Sequence, residues 1–315
     1  MSFMQGKDVE FAIETVKLVK SFKAVTAVDH LDLKVPYGSI YGFLGPNGAG
    51  KTTTIKMLTG LSKPNRGQIR ICGKEVHFGQ VRHREDIGFL PDVPNFYDWM
   101  TAREFMAFCG HLFGIEAGTL KTRSRELLEM VGLAGVAKRI GSYSRGMKQR
   151  LGIAQAMVNN PGVLFLDEPT SALDPIGRKE IMSIMTALAG KTTVFFSTHI
   201  LADIERVCDR VVILNKGKKV IEGTMAELKH VSASRAILLD VDGRDRRDEF
   251  LQLLASLDWV EQVECFNEEL KLVVRDLKQA QVALPGILDR LGLGLRKFMV
   301  LEATLEDVFL KVVKE

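Results

Sequence analysis

The stretch "GPNGAGKT", from Gly45 to Thr52, constrains this chain more than any other feature. It fits the spacing G-x-x-x-x-G-K-[ST], follows a short apolar run at 40–44 and precedes a helical pattern. Glycines at these positions let backbone N–H groups wrap around phosphates. The pattern predicts a strand, a phosphate-binding loop and a helix, with Lys51 near the terminal phosphates and the Thr52 hydroxyl on Mg²⁺. The alternative is a glycine-rich turn with an incidental lysine.

Two further apolar stretches, "VLFLDEPT" and "TTVFFSTH", have the continuous apolar character of central strands in a parallel sheet. The first ends in adjacent carboxylates, Asp167 and Glu168. Ligands bind at the carboxyl ends of such strands. We therefore expect Asp167 to hold Mg²⁺ and Glu168 to polarise an attacking water. The alternative is a pair of acids that caps a helix before Pro169.

The segment "YSRGMKQR", residues 143–150, is a second candidate for phosphate binding. Ser144 and Gly146 lie just ahead of a helical pattern in which Leu151, Ala154 and Val158 recur at i, i+3 and i+7. The start of a helix exposes unpaired backbone N–H groups, which favour a phosphate. One chain thus carries two phosphate-binding devices.

Length and composition suit two unequal globular domains, with 315 residues of which 46% are hydrophobic. No apolar run approaches the roughly 18 residues that span a bilayer, and the first residues lack the form of a signal peptide. We therefore expect a cytosolic chain. The net charge of +4 is too mild to indicate a nucleic-acid partner. Wide spacing favours free thiols in a reducing compartment for the four cysteines, Cys72, Cys109, Cys208 and Cys265.

The order of local patterns predicts an α/β fold. Two alternating stretches between residues 10 and 34 indicate antiparallel strands, and "VVILNKGKKVIEGT" indicates a hairpin around Gly217. The region from about residue 92 to 158 is mostly helical, and Thr101 with Glu104 has the spacing of a capping box. After His230, a β-α-β-β-α-β order indicates a small ferredoxin-like unit. Thr304 is expected to cap a final helix.

Four segments resemble the motifs of ABC-type ATPases in their order and spacing. They are Gly45–Thr53, "YSRGMKQRLGIAQA", "LFLDEPTSALDP" and "FFSTH". The chain is similar to the separate ATP-binding subunit of an ABC exporter. The resemblance implies a P-loop ABC ATPase domain at 8–228, made of a mixed sheet core, an antiparallel β part and a helical subdomain at about 92–158. A C-terminal accessory domain of ferredoxin-like α+β fold is expected at 235–315.

The resemblance also implies the roles of single residues. Phe22 stacks on the adenine ring, His199 contacts the γ-phosphate, and Asp174 lies in a loop that crosses to a partner subunit. For Phe22 the alternative is a core phenylalanine. The implied ATP-binding residues besides Phe22 are Gly45, Pro46, Asn47, Gly48, Ala49, Gly50, Lys51, Thr52 and Thr53. The implied signature, which meets the ATP of the partner subunit, comprises Ser144, Arg145, Gly146 and Met147.

The chain departs from the family pattern in two places. In the signature, Arg145 and Met147 replace a glycine and a glutamine, while the serine and the helix start remain. In "GFLPDVP", Asp92 stands where the family commonly has a glutamine that senses Mg²⁺ and links the site to the membrane partner. We interpret Asp92 as a candidate metal-site residue. The alternative is a turn aspartate between two prolines.

The resemblance implies a head-to-tail dimer, either a homodimer or a dimer with a similar subunit, in which each Ser144 caps the ATP of the other chain. Binding of ATP and Mg²⁺ closes the dimer, and hydrolysis drives export through a separate polytopic permease, with this chain on the cytoplasmic face of the membrane. We expect the permease to dock near Phe96, Tyr97 and Trp99, whose alternative role is core packing.

The rival function is a soluble ABC ATPase that acts on nucleic acid or ribosomes. The C-terminal domain carries no catalytic constellation and is expected to be regulatory or to stabilise the dimer through apolar residues such as Val308, Phe309 and Val312.

Overall fold

The computed structural model describes residues 10–79, 84–231, 236–243, 246–266, 269–301, 305–306 and 309. The chain divides between Met225 and Ala226 into two compact units. Helix α7 (Met225–Val231) begins at this division. The predicted cap at Thr304 and the apolar contacts predicted for Val308 and Val312 lie outside the described residues.

A six-stranded sheet forms the centre of the first unit. Its bounds in sheet order are β10 (Lys218–Thr224), β9 (Arg210–Asn215), β3 (Ile40–Leu44), β8 (Thr193–Thr198), β7 (Val163–Asp167) and β6 (Ile87–Leu90). The last five strands run parallel, and β10 pairs antiparallel with β9 around Gly217, as the hairpin pattern predicted. Strands β3, β7 and β8 are buried at every position. Because these are the central strands, their continuous apolar sequences match their burial on both faces.

Aromatic rings fill the middle of this sheet. Phe195 of β8 stacks on Tyr41 at a centroid distance of 5.6 Å and contacts Phe43 at 5.0 Å, both on β3. On its other side it meets Phe165 of β7 edge-on at 5.6 Å. All four side chains are fully buried. These contacts fix β7 and β8 beside β3, and so bring the carboxyl ends of the three strands together.

An antiparallel four-stranded sheet completes the β part of the first unit. Its bounds in sheet order are β2 (Val25–Pro36), β1 (Phe11–Phe22), β4 (Arg66–Ile71) and β5 (Lys74–Glu75). The pairing of β1 with β2 confirms the antiparallel strands predicted near the start of the chain. Leu18 and Leu31 of this sheet share one buried core with Phe43 and Phe195 of the six-stranded sheet. The mixed α/β core predicted from the sequence is therefore confirmed.

Three helices lie in the segment predicted to be helical: α2 (Ala102–Leu112), α3 (Ala117–Met130) and α4 (Arg145–Ala156). Helix α2 begins with the predicted capping box, in which Thr101 and Glu104 satisfy each other's backbone N–H groups. Ser144 is the N-cap of α4 and Gly146 lies in its first turn, so both residues are at the start of a helix, as predicted. The helix ends at Ala156, so Val158, the last residue of the predicted helical pattern, lies beyond it. Helix ends are harder to predict than helix existence, because termini depend on local caps.

The second unit has the predicted β-α-β-β-α-β order. Its elements are β11 (Ala236–Asp242), α8 (Arg247–Ala255), β12 (Val260–Phe266), β13 (Glu269–Val274), α9 (Leu277–Leu291) and β14 (Gly294–Leu301). The sheet order is β12-β13-β11-β14, and all pairs are antiparallel. Phe250 and Leu254 of α8 and Leu284 of α9 pack with Leu239 and Leu272 of the sheet in a core of its own.

No helix among the described residues is long and apolar enough to cross a membrane. All four cysteines are free thiols, as expected, and Cys265 is the exposed one. Burial raises the pKa of the Cys109 thiol to about 11, which suppresses its reactive thiolate form.

Candidate active site

The glycine-rich loop joins β3 to helix α1 (Lys51–Leu58), as the sequence predicted. Gly50, the N-cap of α1, has φ 101°, and a Cβ there would clash with the carbonyl oxygen of Ala27. A Cβ on Gly45 would lie 2.7 Å from the carbonyl oxygen of Leu214. Glycine is therefore required at both ends of the loop. Along the loop, Asn47, Gly48 and Thr52 are exposed, Pro46 and Thr53 are half-buried, and Gly45, Ala49, Gly50 and Lys51 are buried.

The ammonium of Lys51 lies inside this loop. It donates to the carbonyl oxygens of Gly45 at 2.8 Å and Pro46 at 3.3 Å. It also pairs with Glu168 Oε1 at 3.2 Å, and the Lys51 side chain is only 6% exposed. The Lys51 ammonium is thus held at the predicted phosphate position by two carbonyl oxygens and a carboxylate. Phosphate oxygens of a nucleotide can replace these contacts.

Asp167, at the end of β7, lies at the centre of a network of hydroxyl groups. Its Oδ1 accepts a hydrogen bond from Thr52 Oγ1 at 3.2 Å and another from Ser197 Oγ at 2.6 Å. The Asp167 side chain is buried. The structure therefore joins Thr52 and Asp167, two of the three residues that the sequence predicted to hold Mg²⁺, although they are far apart along the chain.

Glu168 connects the loop lysine to the histidine after β8. Its Oε2 accepts a hydrogen bond from His199 Nδ1 at 2.9 Å, while its Oε1 faces Lys51. Its backbone has φ 49°, a left-handed conformation that is strained for a residue with a side chain. The Glu168 N–H donates to Ser197 Oγ at 3.0 Å, which holds this conformation in place. The predicted base and the predicted switch histidine are thus in direct contact.

The signature segment begins helix α4. Ser144 caps the helix by accepting a hydrogen bond from the N–H of Met147 at 3.2 Å, and both Ser144 and Arg145 are exposed. A Cβ on Gly146 would lie 4.0 Å from Leu173, so the signature is next to the loop that precedes Asp174. Asp174 is itself exposed and caps helix α5 (Pro175–Leu188) by accepting from the N–H of Gly177 at 3.0 Å.

Phe22 and Asp92 are the two site residues for which the sequence analysis left an alternative role open. Phe22, at the end of β1, is 53% exposed and lies under the Lys20 ammonium at 5.0 Å, so it is not a core residue. Asp92 follows β6, and its Oδ1 lies 3.8 Å from the guanidinium of Arg145. Asp92 is thus placed beside the signature, and its predicted contact with a metal stays a prediction.

The predicted docking aromatics divide into two groups. Phe96 packs edge-on against Phe105 of α2 at 5.1 Å. Tyr97 and Trp99 are 48% and 62% exposed, and their rings lie 5.9 Å apart. Phe96 is thus half-buried against α2, whereas Tyr97 and Trp99 present an aromatic surface.

Sequence reasoning missed Ser197, which bonds to both Asp167 and the backbone of Glu168. Its position at the carboxyl end of a buried strand was an available signal, because ligand sites lie there. It also missed Asp203, which is buried and accepts hydrogen bonds from Thr170 and Arg178. No local pattern marks that group, since Thr170 lies in the turn after β7, Arg178 on α5 and Asp203 on helix α6 (Leu201–Val207).

Comparison with known proteins agrees with this geometry. The ABC transporter family model matches residues 28–171. The uncharacterized ABC transporter ATP-binding protein YxlF of Bacillus subtilis (strain 168) is 41% identical over 306 residues, covering 94% of this chain and 97% of the relative. This chain belongs to the ABC transporter ATP-binding proteins. It is therefore an ATPase subunit, with the predicted P-loop at 45–53.

Two further relatives carry names that indicate transport. The bacitracin transport ATP-binding protein BcrA of Bacillus licheniformis is 38% identical, covering 96% of this chain and 97% of the relative. The Nod factor export ATP-binding protein I of Paraburkholderia xenovorans (strain LB400) is 36% identical, covering 96% and 97%. Both comparisons extend through the second unit of this ABC ATPase.

A solved structure of an ABC cassette has a similar fold. The dimeric post-hydrolysis structure of the ATP-binding cassette MJ0796, bound to ADP and Pi, superimposes with a TM-score of 0.62 and 25% identity. The match covers 68% of this chain and 98% of that one. The ABC ATPase assignment from the sequence is confirmed by both comparisons.

Proposed function

We propose that this ABC ATPase powers export through a separate membrane permease, and that residues 45–53, 167, 168 and 199 form its hydrolytic half-site. The observation that carries the proposal is the position of Glu168, held between Lys51 and His199 beside the Thr52–Asp167 pair. A carboxylate fixed next to a phosphate-binding lysine is well placed to accept the proton of a water that attacks the γ-phosphate.

The residues near Glu168 have separate roles. Lys51 supplies positive charge to the terminal phosphates, and backbone N–H groups of the loop bind the phosphate oxygens. His199 donates to one oxygen of Glu168 through Nδ1, and when Nε2 also carries a proton it can donate to the γ-phosphate. Ser197 fixes the carboxylate of Asp167 and the backbone of Glu168 in one arrangement.

The donor set at the end of β7 fits Mg²⁺. Thr52 and Asp167 offer a hydroxyl and a carboxylate, the hard oxygen ligands that Mg²⁺ prefers together with waters and substrate phosphates. In the described part of the chain, no group of three or more His, Cys, Asp or Glu side chains could hold a metal ion by itself, which is consistent with a site completed by phosphate and water. Bound Mg²⁺ would neutralise charge on the β- and γ-phosphates.

The signature requires a partner subunit in this proposal. No hydrogen bond or ion pair within the described residues connects 144–147 with Lys51, Asp167, Glu168 or His199. The exposed Ser144 and the start of α4 are therefore free to cap the ATP of a second chain in a head-to-tail dimer. Asp174 lies beside the signature and is proposed to cross the same interface, and the exposed Phe22 ring is proposed to stack on adenine.

Export through a permease is supported by the relatives whose names specify transport or export. We place the permease contact at the exposed rings of Tyr97 and Trp99, on the cytoplasmic face of the membrane. Coexpression with the membrane protein encoded by a neighbouring gene tests this, and the two chains are expected to copurify in detergent. Copurification of RNA or ribosomes, with no membrane protein, would support the rival function and contradict export.

The substitution Glu168→Gln tests the hydrolytic site. The amide cannot accept the proton of the attacking water, so we expect ATP hydrolysis to fall about 10²–10⁴-fold while MgATP still binds. Because bound ATP is not consumed, size-exclusion chromatography with ATP should show a stable dimer. Glu126→Gln, an exposed change on α3, is the matched control and should behave as the unmodified protein. A Glu168→Gln protein that hydrolyses ATP at the normal rate as a monomer would refute the assignment.

A further inference from the structure

The two departures from the family pattern are neighbours in space. Arg145 stands at a signature position that is usually glycine, and Asp92 stands where glutamine is common. The Arg145 guanidinium lies 3.8 Å from Asp92 Oδ1, and their side chains are 48% and 47% exposed. Nothing in the sequence connects these positions, since they are 53 residues apart. The two departures therefore form one ion pair.

The start of α4 carries an excess of positive charge, which explains why it needs a negative counter-charge. Its first residue, Arg145, and the nearby Lys148 are cationic, and the first turn has no acid. A helix N-terminus already carries partial positive charge, so cations there are unfavourable. The loop between β6 and α2 supplies the missing acids: Asp92 faces Arg145, and Asp98 lies 3.3 Å from Lys148. The loop is thus the source of counter-charge for the signature helix.

The backbone that carries Asp92 is firmly attached to the same helix. Gln149 of α4, which is 1% exposed, donates from Nε2 to the carbonyl oxygen of Asp92 at 2.8 Å. The helix also packs closely on β6, the strand before Asp92. A Cβ on Gly152 would clash with Leu90, and a Cβ on Gly88 would clash with the carbonyl of Ala156. Asp92 is therefore held in a constant position relative to the start of α4.

The carboxylate of Asp92 has an unused acceptor atom. Its Oδ1 is buried and accepts no hydrogen bond within the described residues. It lines a cavity of about 300 Å³ together with Arg145, Lys148 and the buried Tyr143. A buried carboxylate oxygen is unfavourable unless a cation or a donor faces it, and the cation that faces it is Arg145.

We propose that Asp92 is a positioning residue for the signature: its carboxylate holds the Arg145 guanidinium beside Ser144, where Arg145 contacts the terminal phosphates of the ATP bound to the partner subunit. This inference rests on the proposed head-to-tail dimer. Arginine suits the role because its planar group can face a carboxylate and a phosphate with different N–H groups. The pair thus replaces the neutral residues common in the family with a cation and its counter-ion.

A double-mutant cycle tests the proposal. It combines Asp92→Gln and Arg145→Gly, which together restore the residues common in the family. Asp92→Gln leaves Arg145 without its counter-charge, and Arg145→Gly leaves a carboxylate facing the phosphates. Each single change should weaken ATP-driven dimerisation and lower kcat. The double variant should recover to near the unmodified protein, with a coupling of about 3- to 100-fold. The proposal would be overturned if the double variant showed only the product of the two single effects on dimerisation and kcat. It would also be overturned if neither single variant had any effect.

Three controls separate positioning from loss of structure. ATP affinity of the isolated subunit, measured without Mg²⁺, should change less than about twofold in every variant, because Lys51 and its loop are untouched. The exposed pair Arg125 and Glu129 on α3, changed to Ala and Gln, should show no coupling to dimerisation. Arg145→Lys, which keeps the charge but loses the planar group, should be less impaired than Arg145→Gly; equal impairment would contradict a role for the cation. If the unmodified protein neither dimerises nor hydrolyses ATP, the proposed function itself fails, which is a different result.

Discussion

At the scale of single residues, the site is organised by the contacts that Glu168 and Asp167 make with neighbouring side chains. Lys51 and His199 hold the two carboxylate oxygens of Glu168, and Ser197 connects both acids. The strained backbone of Glu168 directs its side chain towards the P-loop. Backbone strain of this kind is common at the active sites of enzymes. Each of these contacts can be removed by one substitution.

Lys51→Ala should weaken ATP binding, because the ammonium contact with the β- and γ-phosphates is lost while the backbone loop remains. A hydrogen bond to a charged group is worth about 1.5–3 kcal/mol, so we expect affinity to fall about 10- to 100-fold. Isothermal titration calorimetry measures the change. Lys56→Ala, in the last turn of the same helix, is the control. An unchanged affinity for Lys51→Ala would mean that residues 45–52 are not the phosphate site.

Ser197→Ala should lower kcat by about tenfold and leave ATP affinity nearly unchanged. The hydroxyl donates to Asp167 and accepts from the N–H of Glu168, so its loss loosens both acids without touching the loop. Steady-state ATPase assays and calorimetry give the two quantities. Ser183→Ala, whose hydroxyl bonds only to its own helix at Lys179, is the matched control. Normal turnover in Ser197→Ala would remove this residue from the site.

At the scale of elements, the helical segment depends on its caps. The Glu104 carboxylate accepts hydrogen bonds from the N–H and the hydroxyl of Thr101, and these bonds lower its pKa below the ordinary 4.5. Thr101 in turn accepts from the N–H of Glu104. The start of α2 therefore follows from side chains within one turn, and α2 carries Phe105, against which Phe96 packs.

Thr101→Ala should destabilise the first unit by about 1 kcal/mol at neutral pH, the usual effect of losing a helix cap. Thermal unfolding followed by circular dichroism measures it, with Thr122→Ala in the exposed part of α3 as the control. Since the folded pKa of Glu104 lies below its unfolded value, the stabilisation is present above pH 4.5 and is lost as the pH falls through the folded pKa. The difference between the two proteins should therefore shrink in acid; a constant difference would argue against the reciprocal cap.

At the scale of the whole molecule, the second unit has its own sheet and core but no assigned chemistry. Its helices α8 and α9 pack on an antiparallel sheet through residues such as Phe250 and Leu284. Of the three apolar residues predicted to support dimerisation, Phe309 is described and half-buried. A regulatory or dimer-stabilising role for this unit remains our prediction.

A chain truncated near residue 230 tests that role. We expect it to fold and to bind ATP with normal affinity, because the P-loop and its neighbours belong to the first unit. ATP-driven dimerisation in the Glu168→Gln background should be weaker than for the full chain, as measured by size-exclusion chromatography. Dimerisation as strong as that of the full chain would exclude the dimer-stabilising role.

The sequence by itself determined the features that depend on near neighbours. The P-loop between β3 and α1, the buried strands β7 and β8, the hairpin at Gly217 and the capping box of α2 were all predicted from local patterns. In each case a turn, a cap or an apolar period acts over a few residues, so the linear order carries the information. The family also followed from the sequence, since the order and spacing of four motifs are specific.

Only the tertiary structure decided which side chains meet. Thr52 bonds to Asp167 across 115 residues, Asp92 faces Arg145, and Ser197 connects the two acids at the end of β7. These contacts arise because parallel pairing aligns the carboxyl ends of β3, β7 and β8, and because glycines let α4 lie against β6. Sheet order and helix packing depend on burial across the whole core, which no local window of sequence contains.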